Sequence, residues 1–231
     1  TRAFEPRIKF YKEWPFLFVG ILASGTLFIL WDEVFTQQGI WGFNPDYLVG
    51  IYFGNLPLEE CLFFVAIPYA SIFIYATFNY FIKWEPKQSQ TRLFSFILGL
   101  SLLVMAYLFR DKAYTHVTFL LTGLFLWCQA LWWRGAYMGR FLVSYGIVLI
   151  PFMLVNGVLT GSWIEFPIVW YNNQENLGIR VGTIPIEDSV YGLLMLLVAV
   201  TVYEELRRKV KGVYSYQRHW PDGQAKKQVI A

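Results

Sequence analysis

Six long apolar segments constrain this chain more than any other feature of its sequence. They occupy residues 14–31, 61–82, 93–109, 114–133, 141–159 and 189–203. About 20 helical residues cross the hydrocarbon core of a bilayer, and the last segment reaches that length if its helix starts at Pro185. Only 15% of the residues are charged, against about 25% in soluble domains. The sequence therefore predicts an all-α integral membrane protein with about six transmembrane helices.

The basic residues fall unevenly on the two sides that six crossings would define. Sixteen of the 19 Lys and Arg residues lie on one side, and only Arg110, Lys112 and Arg180 lie on the other. Cytoplasmic loops carry the excess of Lys and Arg in membrane proteins. We therefore predict a protein of the cell (inner) membrane, with both ends of this chain in the cytoplasm and the opposite loops on the non-cytoplasmic side.

Two short acidic motifs open apolar segments at that non-cytoplasmic side. The sequences GNLPLEECLFF and GTIPIEDSVYG each place two adjacent carboxylates directly after a proline and an aliphatic residue. Proline and acidic residues are favourable in the first turn of any helix, so the motifs have an ordinary structural explanation. Ionisable groups at membrane depth are nevertheless costly and indicate function. The predicted catalytic carboxylates are Glu59, Glu60, Glu187 and Asp188, with Glu60 and Glu187 as the most important.

The two motifs belong to a longer internal repeat. WDEVFTQQGIW aligns with VNGVLTGSWI, which sets Asp32 against Asn156, and an acidic motif follows each segment. Both copies run in the same direction through the membrane, as in a parallel repeat. We assign residues 1–92 to the first repeat, and residues 93–231 to a linker helix, the second repeat and a basic cytoplasmic tail. If the repeat unit has three helices, the leading helix of the first copy would lie before Thr1.

The surroundings of the acids favour proton chemistry on an apolar substrate. Two acids in one apolar pocket cannot easily both be ionised, so a general acid would stand beside a conjugate base. Aromatic walls could stabilise a carbocation. No P-loop, GxGxxG sequence, aspartate-rich diphosphate motif or metal-ligand spacing occurs in the chain. We therefore expect no metal and no cofactor.

Further side chains are candidates for supporting the acids or binding substrate. Asparagines can donate hydrogen bonds to carboxylates, the lone arginine of the last outer loop can orient Glu187 or Asp188, and aromatic rings can face the pocket. Helix packing, interfacial belts and turns use the same residue types, so the structural alternative stays open for each. The supporting candidates are Asp32, Glu33, Asn156, Asn172, Arg180, Trp41, Phe64 and Tyr191.

At these residues the sequence resembles a known family. WDEVFTQQGIWGFNPDYLVGIYFGNLPLEECLFFVAIPYASIFIY and LGIRVGTIPIEDSVYG are similar to the two halves of the fused, heterodimer-type lycopene cyclases, which are membrane-integral carotenoid cyclases. The resemblance covers about residues 10–204. It implies seven transmembrane helices in an intact member, one more than this chain contains.

The resemblance also implies an activity. The family cyclises the linear ends of lycopene to β-ionone rings, giving γ-carotene and β-carotene, in a redox-neutral isomerisation of carotenoid biosynthesis. It carries over Glu59, Glu60, Glu187 and Asp188 as catalytic carboxylates. The other lineage of lycopene cyclases uses a flavin-binding Rossmann fold, whose motif is missing here, so we expect no FAD.

One different class of function stays open at the level of sequence. A non-enzymatic proton or lipid transporter could also use membrane carboxylates and a parallel repeat, although its acids would tend to lie near the bilayer midplane. The expected partners are lycopene, carotenoid intermediates and membrane lipid, with no nucleic acid. The sequence is compatible with a homo-oligomer and does not decide the oligomeric state.

Overall fold

The computed structural model describes residues 9–215 and residue 217. Six helices form the bundle, and each is long and apolar enough to cross a membrane. The predicted all-α membrane architecture is therefore confirmed. The leading helix predicted before Thr1, the first basic residues and most of the basic tail lie outside the described residues. The helices are α1 (Trp14–Gln37), α2 (Leu58–Phe81), α3 (Gln88–Leu108), α4 (Ala113–Cys128), α5 (Met138–Leu159) and α6 (Ile186–Lys211).

Local chemistry explains where the helices begin and end. A 3₁₀ turn at Phe10–Glu13 leads into α1, and α4 continues as a π-helical turn at Gln129–Trp133. Pro57 and Pro185 directly precede α2 and α6, whose first turns carry the acidic pairs. Helix α6 extends beyond the apolar segment 189–203 to Lys211. Its last turn is basic, and positive charge at a helix C-terminus interacts favourably with the helix dipole. It ends at Gly212, whose φ of 73° is the left-handed conformation that glycine adopts readily.

Helix α6 is the centre of the bundle. It packs mainly against α1 and α4 and also contacts α2 and α5, and its residues 193–197 are buried. The approach of α1 depends on Gly20, where a Cβ would lie 2.6 Å from the carbonyl oxygen of Ala199. Small residues permit such close backbone contact between membrane helices. The buried helix α6 thus holds its acidic first turn against several neighbours at one end of the bundle.

A layer of short strands covers that end. Strand β1 (Trp41–Phe43) pairs antiparallel with β4 (Val169–Tyr171), and this pairing joins the loop after α1 to the loop after α5. Two hairpins lead into the acidic motifs. They are formed by β2 (Tyr52–Phe53) with β3 (Leu56–Pro57), before α2, and by β5 (Arg180–Val181) with β6 (Ile184–Pro185), before α6.

The two hairpins and the two loops before them have matching geometry. Gly54 and Gly182 both sit in the left-handed region at the hairpin turns, with φ of 66° and 64°. Across the β1–β4 pair, the Asn44 amide donates to the Ile168 carbonyl at 2.8 Å, and the Asn172 amide donates to the Ile40 carbonyl at 2.8 Å. Each of the two loops therefore donates a backbone amide to a carbonyl group of the other loop.

Candidate active site

An acidic cavity lies beneath the strand layer at one end of the bundle. It contains about 560 Å³ of empty space, including its open mouth. The ends of α1 and α5 and the beginnings of α2, α4 and α6 surround it, so five helices contribute side chains. Its polar lining comes from Asp32, Glu60, Tyr114, Asn156, Tyr171 and Asp188, and its aromatic lining from Trp41, Phe43, Phe63, Phe152 and Tyr191.

Asp188 is fixed by three donors. Its Oδ1 accepts a hydrogen bond from the Tyr114 hydroxyl at 2.5 Å, and its Oδ2 accepts from Asn156 Nδ2 at 2.7 Å and the Tyr171 hydroxyl at 2.9 Å. The side chain is almost completely buried. Hydrogen bonds to an ionised acceptor are the strong class of such bonds. Among the described residues no Lys or Arg pairs with this carboxyl group, so three neutral donors fix its position and favour its ionised form.

Asp32 is held on one oxygen only. Its Oδ1 accepts hydrogen bonds from Trp41 Nε1 and from Thr36 Oγ1, the latter at 3.4 Å. Its Oδ2 is buried and has no hydrogen-bond partner among residues 9–215 and 217. Trp41 thus joins the strand layer to α1, and one oxygen of Asp32 remains able to take up a proton.

Glu60 is the least constrained of the three cavity carboxylates. It lines the cavity in a half-buried position and accepts no hydrogen bond from the protein within the ranges that the structure describes. Asp32 and Asp188 lie close enough to interact with it electrostatically. In the same described ranges, no group of three acids, histidines or cysteines could hold a metal ion. The three carboxyl groups therefore surround a space instead of converging on one point.

The first acid of each motif points away from this cavity. Glu59 accepts from the Val49 amide at 2.7 Å, and Glu187 accepts from the Leu177 amide at 2.7 Å and the Thr115 hydroxyl at 2.6 Å. Both side chains tie the preceding loop to the start of their own helix, and neither lines the cavity. The structure thus brings together the second acids, Glu60 and Asp188, and separates Glu59 and Glu187 from them.

Three supporting candidates also lie outside the cavity lining. Glu33 holds the first hairpin turn through Asn55, whose backbone amide and side-chain amide donate to it at 2.9 Å and 2.6 Å. Asn172 accepts from the Gln174 amide at 3.0 Å within its own turn. Phe64 is buried and packs against Phe28, with ring centroids 6.5 Å apart. None of the three lines the cavity.

The structure does not support a direct contact between Arg180 and the acids of the second motif. Its guanidinium donates to the Thr183 carbonyl at 2.5 Å and to Asn173 Oδ1 at 2.7 Å. It also lies over the ring of Tyr171, 5.7 Å from the centroid. The β5–β6 hairpin bends the chain so that Arg180 braces the loop, and it reaches Asp188 only through Tyr171.

Several cavity residues escaped the sequence analysis. Tyr114 opens α4 and Phe152 lies within α5, where both read as parts of apolar segments. Thr36 does not line the cavity but donates a hydrogen bond to Asp32, and the sequence showed it only as an aligned position of the repeat. One signal in the sequence could have identified Tyr114. It carries a hydroxyl group at the start of an apolar segment, on the same side as the acidic motifs.

Tyr171 is expected to donate to Asp188 over a wide pH range. Burial, and then the neighbouring Asp188 charge, raise the pKa of Tyr171 well above its usual value, which is about 10. The neutral hydroxyl therefore persists at any pH below 10, and its hydrogen bond is lost only above the raised pKa. Tyr171→Phe should lower the turnover expected of this site by about ten- to a hundredfold, since a hydrogen bond to a charged group contributes about 1.5–3 kcal/mol.

The pH profile of turnover by the purified protein checks this expectation. The ratio of wild-type to Tyr171→Phe rates should stay constant from pH 6 to about pH 9, as it must if the hydroxyl remains protonated throughout. A ratio that falls towards one at alkaline pH would mean that the wild-type hydroxyl ionises there, contrary to its buried setting.

Comparison with known proteins identifies the family of the chain. The family model described as lycopene cyclase matches residues 2–78 and 111–206, about three quarters of the sequence. The chain belongs to the lycopene cyclase family. The match includes every residue of the polar cavity lining, and the intervening helix α3 lies wholly outside it. Membership supports carotenoid cyclase chemistry and carotenoid substrates. Searches of curated proteins and of solved structures found no match.

Proposed function

We propose that the chain is a lycopene β-cyclase, an isomerase that closes β-ionone rings at the ends of lycopene by acid–base catalysis. The observation that carries this proposal is the cavity in which Asp32, Glu60 and Asp188 stand around one aromatic-walled space, in a chain of the lycopene cyclase family. Cyclisation needs an acid, a base and a dry pocket that tolerates a cation. The cavity offers these three elements.

Glu60 is the proposed proton donor. Its carboxyl group faces the cavity without a fixed partner in the described ranges, so it can carry a proton and approach the terminal double bond. Protonation of C1=C2 at C2 leaves a tertiary cation at C1. The C5=C6 π bond then attacks C1, which forms the C1–C6 bond and moves the cation to C5.

Asp32 and Asp188 complete the proposed cycle. The unpartnered Oδ2 of Asp32 accepts the proton from C6, which restores the C5=C6 double bond and gives the β ring. Proton return from Asp32 to Glu60 resets the site, so the net reaction is an isomerisation. Asp188, held as an anion by three donors, stabilises the cation electrostatically, as preorganised charge does in other enzymes.

Glu59 and Glu187 have positioning roles in this proposal. Each fixes the loop before its helix by accepting from a backbone amide, and so sets the direction of the adjacent cavity acid. The matched loops and exchanged contacts around Gly42 and Trp170 support the predicted internal repeat. In that repeat, a first half with Asp32 and Glu60 and a second half with Asn156 and Asp188 form one shared site.

The membrane orientation is part of the proposal. The cavity lies at the end of the bundle where α2, α4 and α6 begin, and basic residues such as Arg134, Arg140 and Arg207 lie towards the opposite end. The excess of Lys and Arg at that opposite end supports a cytoplasmic location for it. We therefore place the acidic cavity near the non-cytoplasmic face of the cell (inner) membrane.

Expression in a lycopene-accumulating host tests the function. The pigment extract should lose lycopene and gain γ-carotene and β-carotene, with a colour change from pink towards yellow-orange because the conjugated system shortens. An extract that contains only lycopene, from cells in which the protein is found in the membrane, would contradict the proposal. Exclusive ε or γ rings would keep a cyclase and reject the β assignment.

The transporter alternative receives less support from the cavity. Its three carboxylates lie at one edge of the bundle, within or next to the terminal turns of α1, α2 and α6, whereas coupling sites of transporters lie near the bilayer midplane. Proton or lipid flux in proteoliposomes without any change in added lycopene would favour the transporter.

A further inference from the structure

An open cup lies beside the strand layer and has no role in the chemistry described above. The end of α5, strand β4 and the β5–β6 hairpin surround it, and it contains about 650 Å³ of empty space, including its open side. Strand β4 is a wall that it shares with the acidic cavity, because Val169 and Tyr171 line both spaces. We call this depression the Arg180 cup, and its polar and aromatic lining consists of Thr160, Trp170, Tyr171, Asn173, Arg180 and Thr183.

The cup contains a positive charge without an acidic partner. Among the described residues that line the cup, Arg180 is the only charged one. Its side chain is half-buried, and within the described part of the chain no carboxylate forms an ion pair with it. Charged groups that leave water are normally paired. The cup therefore presents a partly desolvated cation that an anion from outside the chain can neutralise.

The guanidinium group of Arg180 is held in place and still has donors to offer. It donates to the Thr183 carbonyl at 2.5 Å and to Asn173 Oδ1 at 2.7 Å, and it lies over the Tyr171 ring, 5.7 Å from the centroid. These two hydrogen bonds use two of the five N–H donors of an arginine. A planar guanidinium fork matches the geometry of carboxylate and phosphate groups. The cup thus has a fixed donor group suited to an oxyanion.

The position of the cup in the bundle indicates where such an anion would come from. The cup lies where α5 ends and α6 begins, and both helices are long and apolar enough to cross a membrane. The ends of membrane-crossing helices lie at the level of the lipid head groups. Aromatic side chains are also typical of that level, and the loop around the cup exposes Trp163, Phe166 and Trp170.

Lipid chains can contact the bundle directly below this level. Helix α5 exposes aliphatic side chains up to its last turn, at Ile150, Leu154 and Val158. The cup begins at Thr160, immediately after the last residue of that helix. A phospholipid whose chains lie along α5 therefore has its phosphate at the height of Arg180.

We propose that the Arg180 cup binds the phosphate of a phospholipid head group. This inference goes beyond the cyclase function and depends only on the bundle crossing a membrane. The guanidinium supplies the charge and the hydrogen bonds, and the exposed aromatic residues hold the loop at the depth of the head groups. The bound lipid lies against the wall that the cup shares with the acidic cavity.

Asn173→Asp is the sharpest test, because it should block the cup without disturbing its shape. The change keeps the Oδ1 atom that accepts from Arg180 and places an anion beside the guanidinium. Native mass spectrometry of the purified protein in detergent, titrated with phosphatidylglycerol, measures the Kd of the tightest bound lipid. This Kd should rise by about tenfold to a hundredfold, the cost of losing a hydrogen bond to a charged group. Gln174→Glu adds the same charge at the next residue, which is exposed and outside the cup lining, and should leave the Kd unchanged.

Arg180→Gln should weaken the same lipid by a similar factor. Its control is Arg110→Gln in the turn between α3 and α4, which lies at the same end of the bundle. Arg110 is exposed and lies over the ring of Tyr107, also 5.7 Å from the centroid, but it does not line the cup. Thermal unfolding in the absence of lipid shows whether each variant is folded, and Asn173→Asp keeps the test valid if Arg180→Gln unfolds.

Two competing ligands identify what the cup recognises. Inorganic phosphate at millimolar concentration should not displace the lipid, and neither should dioleoylglycerol, which has acyl chains but no phosphate. Displacement by inorganic phosphate would assign the cup to a free anion, and displacement by dioleoylglycerol would reject recognition of the head group. The proposal is also rejected if a folded Asn173→Asp or Arg180→Gln variant holds the lipid as tightly as wild type, or if the control variants lose it equally.

Discussion

Glu60→Gln is expected to lower lycopene cyclisation by about a thousandfold, within the range of 10²–10⁴ that general acid catalysis contributes. Glutamine has nearly the shape of glutamic acid and cannot deliver a proton. Glu60 is the cavity acid that accepts no hydrogen bond in the described part of the chain, and the proposed mechanism transfers its proton to the terminal double bond. The measurement is the initial rate of γ-carotene and β-carotene formation by purified enzyme in lipid.

Glu59→Gln is the matched control, because it makes the same change one residue earlier on the same helix. The Glu59 carboxylate accepts from the Val49 amide, and a glutamine oxygen can accept the same bond. We expect this variant to keep its rate to within about tenfold, the cost of one weakened hydrogen bond. Equal losses in the two variants, or a wild-type rate in Glu60→Gln, would contradict the assignment of Glu60 as the donor.

Asp188→Asn is expected to produce the second large loss, about 10²–10³-fold, similar to the removal of one preorganised electrostatic contact in other enzymes. The change removes the negative charge and leaves the Tyr114, Asn156 and Tyr171 donors in place. The developing cation then meets a neutral amide, and one of the donors faces an NH₂ group. The loss should appear in kcat, since the charge acts on the transition state rather than on the neutral substrate.

The comparison with Glu187→Gln distinguishes a catalytic charge from a structural one. Glu187 is buried and accepts from Thr115 and Leu177, and glutamine can keep both bonds through its carbonyl oxygen. This variant should fold and retain most of its kcat. If Glu187→Gln lowered kcat more than Asp188→Asn at similar thermal stability, the catalytic charge would belong to Glu187. Glu187 would then replace Asp188 in the proposed mechanism.

The different behaviour of two adjacent acids follows from helix geometry. Consecutive residues on an α-helix point about 100° apart, so a pair such as Glu59 and Glu60 cannot face the same partner. In each motif the first acid turns back to the loop and the second enters the cavity. The sequence shows the pairs and their duplication but not the rotation of each helix about its axis, which depends on how the bundle packs. For that reason the sequence selected Glu187 and Asp188 together and favoured Glu187, whereas in the structure it is Asp188 that lines the cavity.

Two other members of the site also show that sequence patterns reveal local positions but not contacts between packed helices. Asn156 was found through its place in the repeat, and the structure puts its amide 2.7 Å from Asp188. Tyr114 belongs to a helix outside the motif alignment, and its contact with Asp188 spans 74 positions of the chain. No pattern of local spacing contains such a contact, because it arises only when α4 packs against α6.

The sequence by itself determined the membrane class, the six helices, and the end of the bundle at which the acids gather. Those features follow from the lengths of the apolar segments and from the solvation of charge, which act on each segment separately. The tertiary structure decided which carboxylates meet, which donors hold them, and where space remains between helices. These depend on the rotation and approach of packed helices, set here by contacts such as Gly20 against Ala199, and no single segment contains that information.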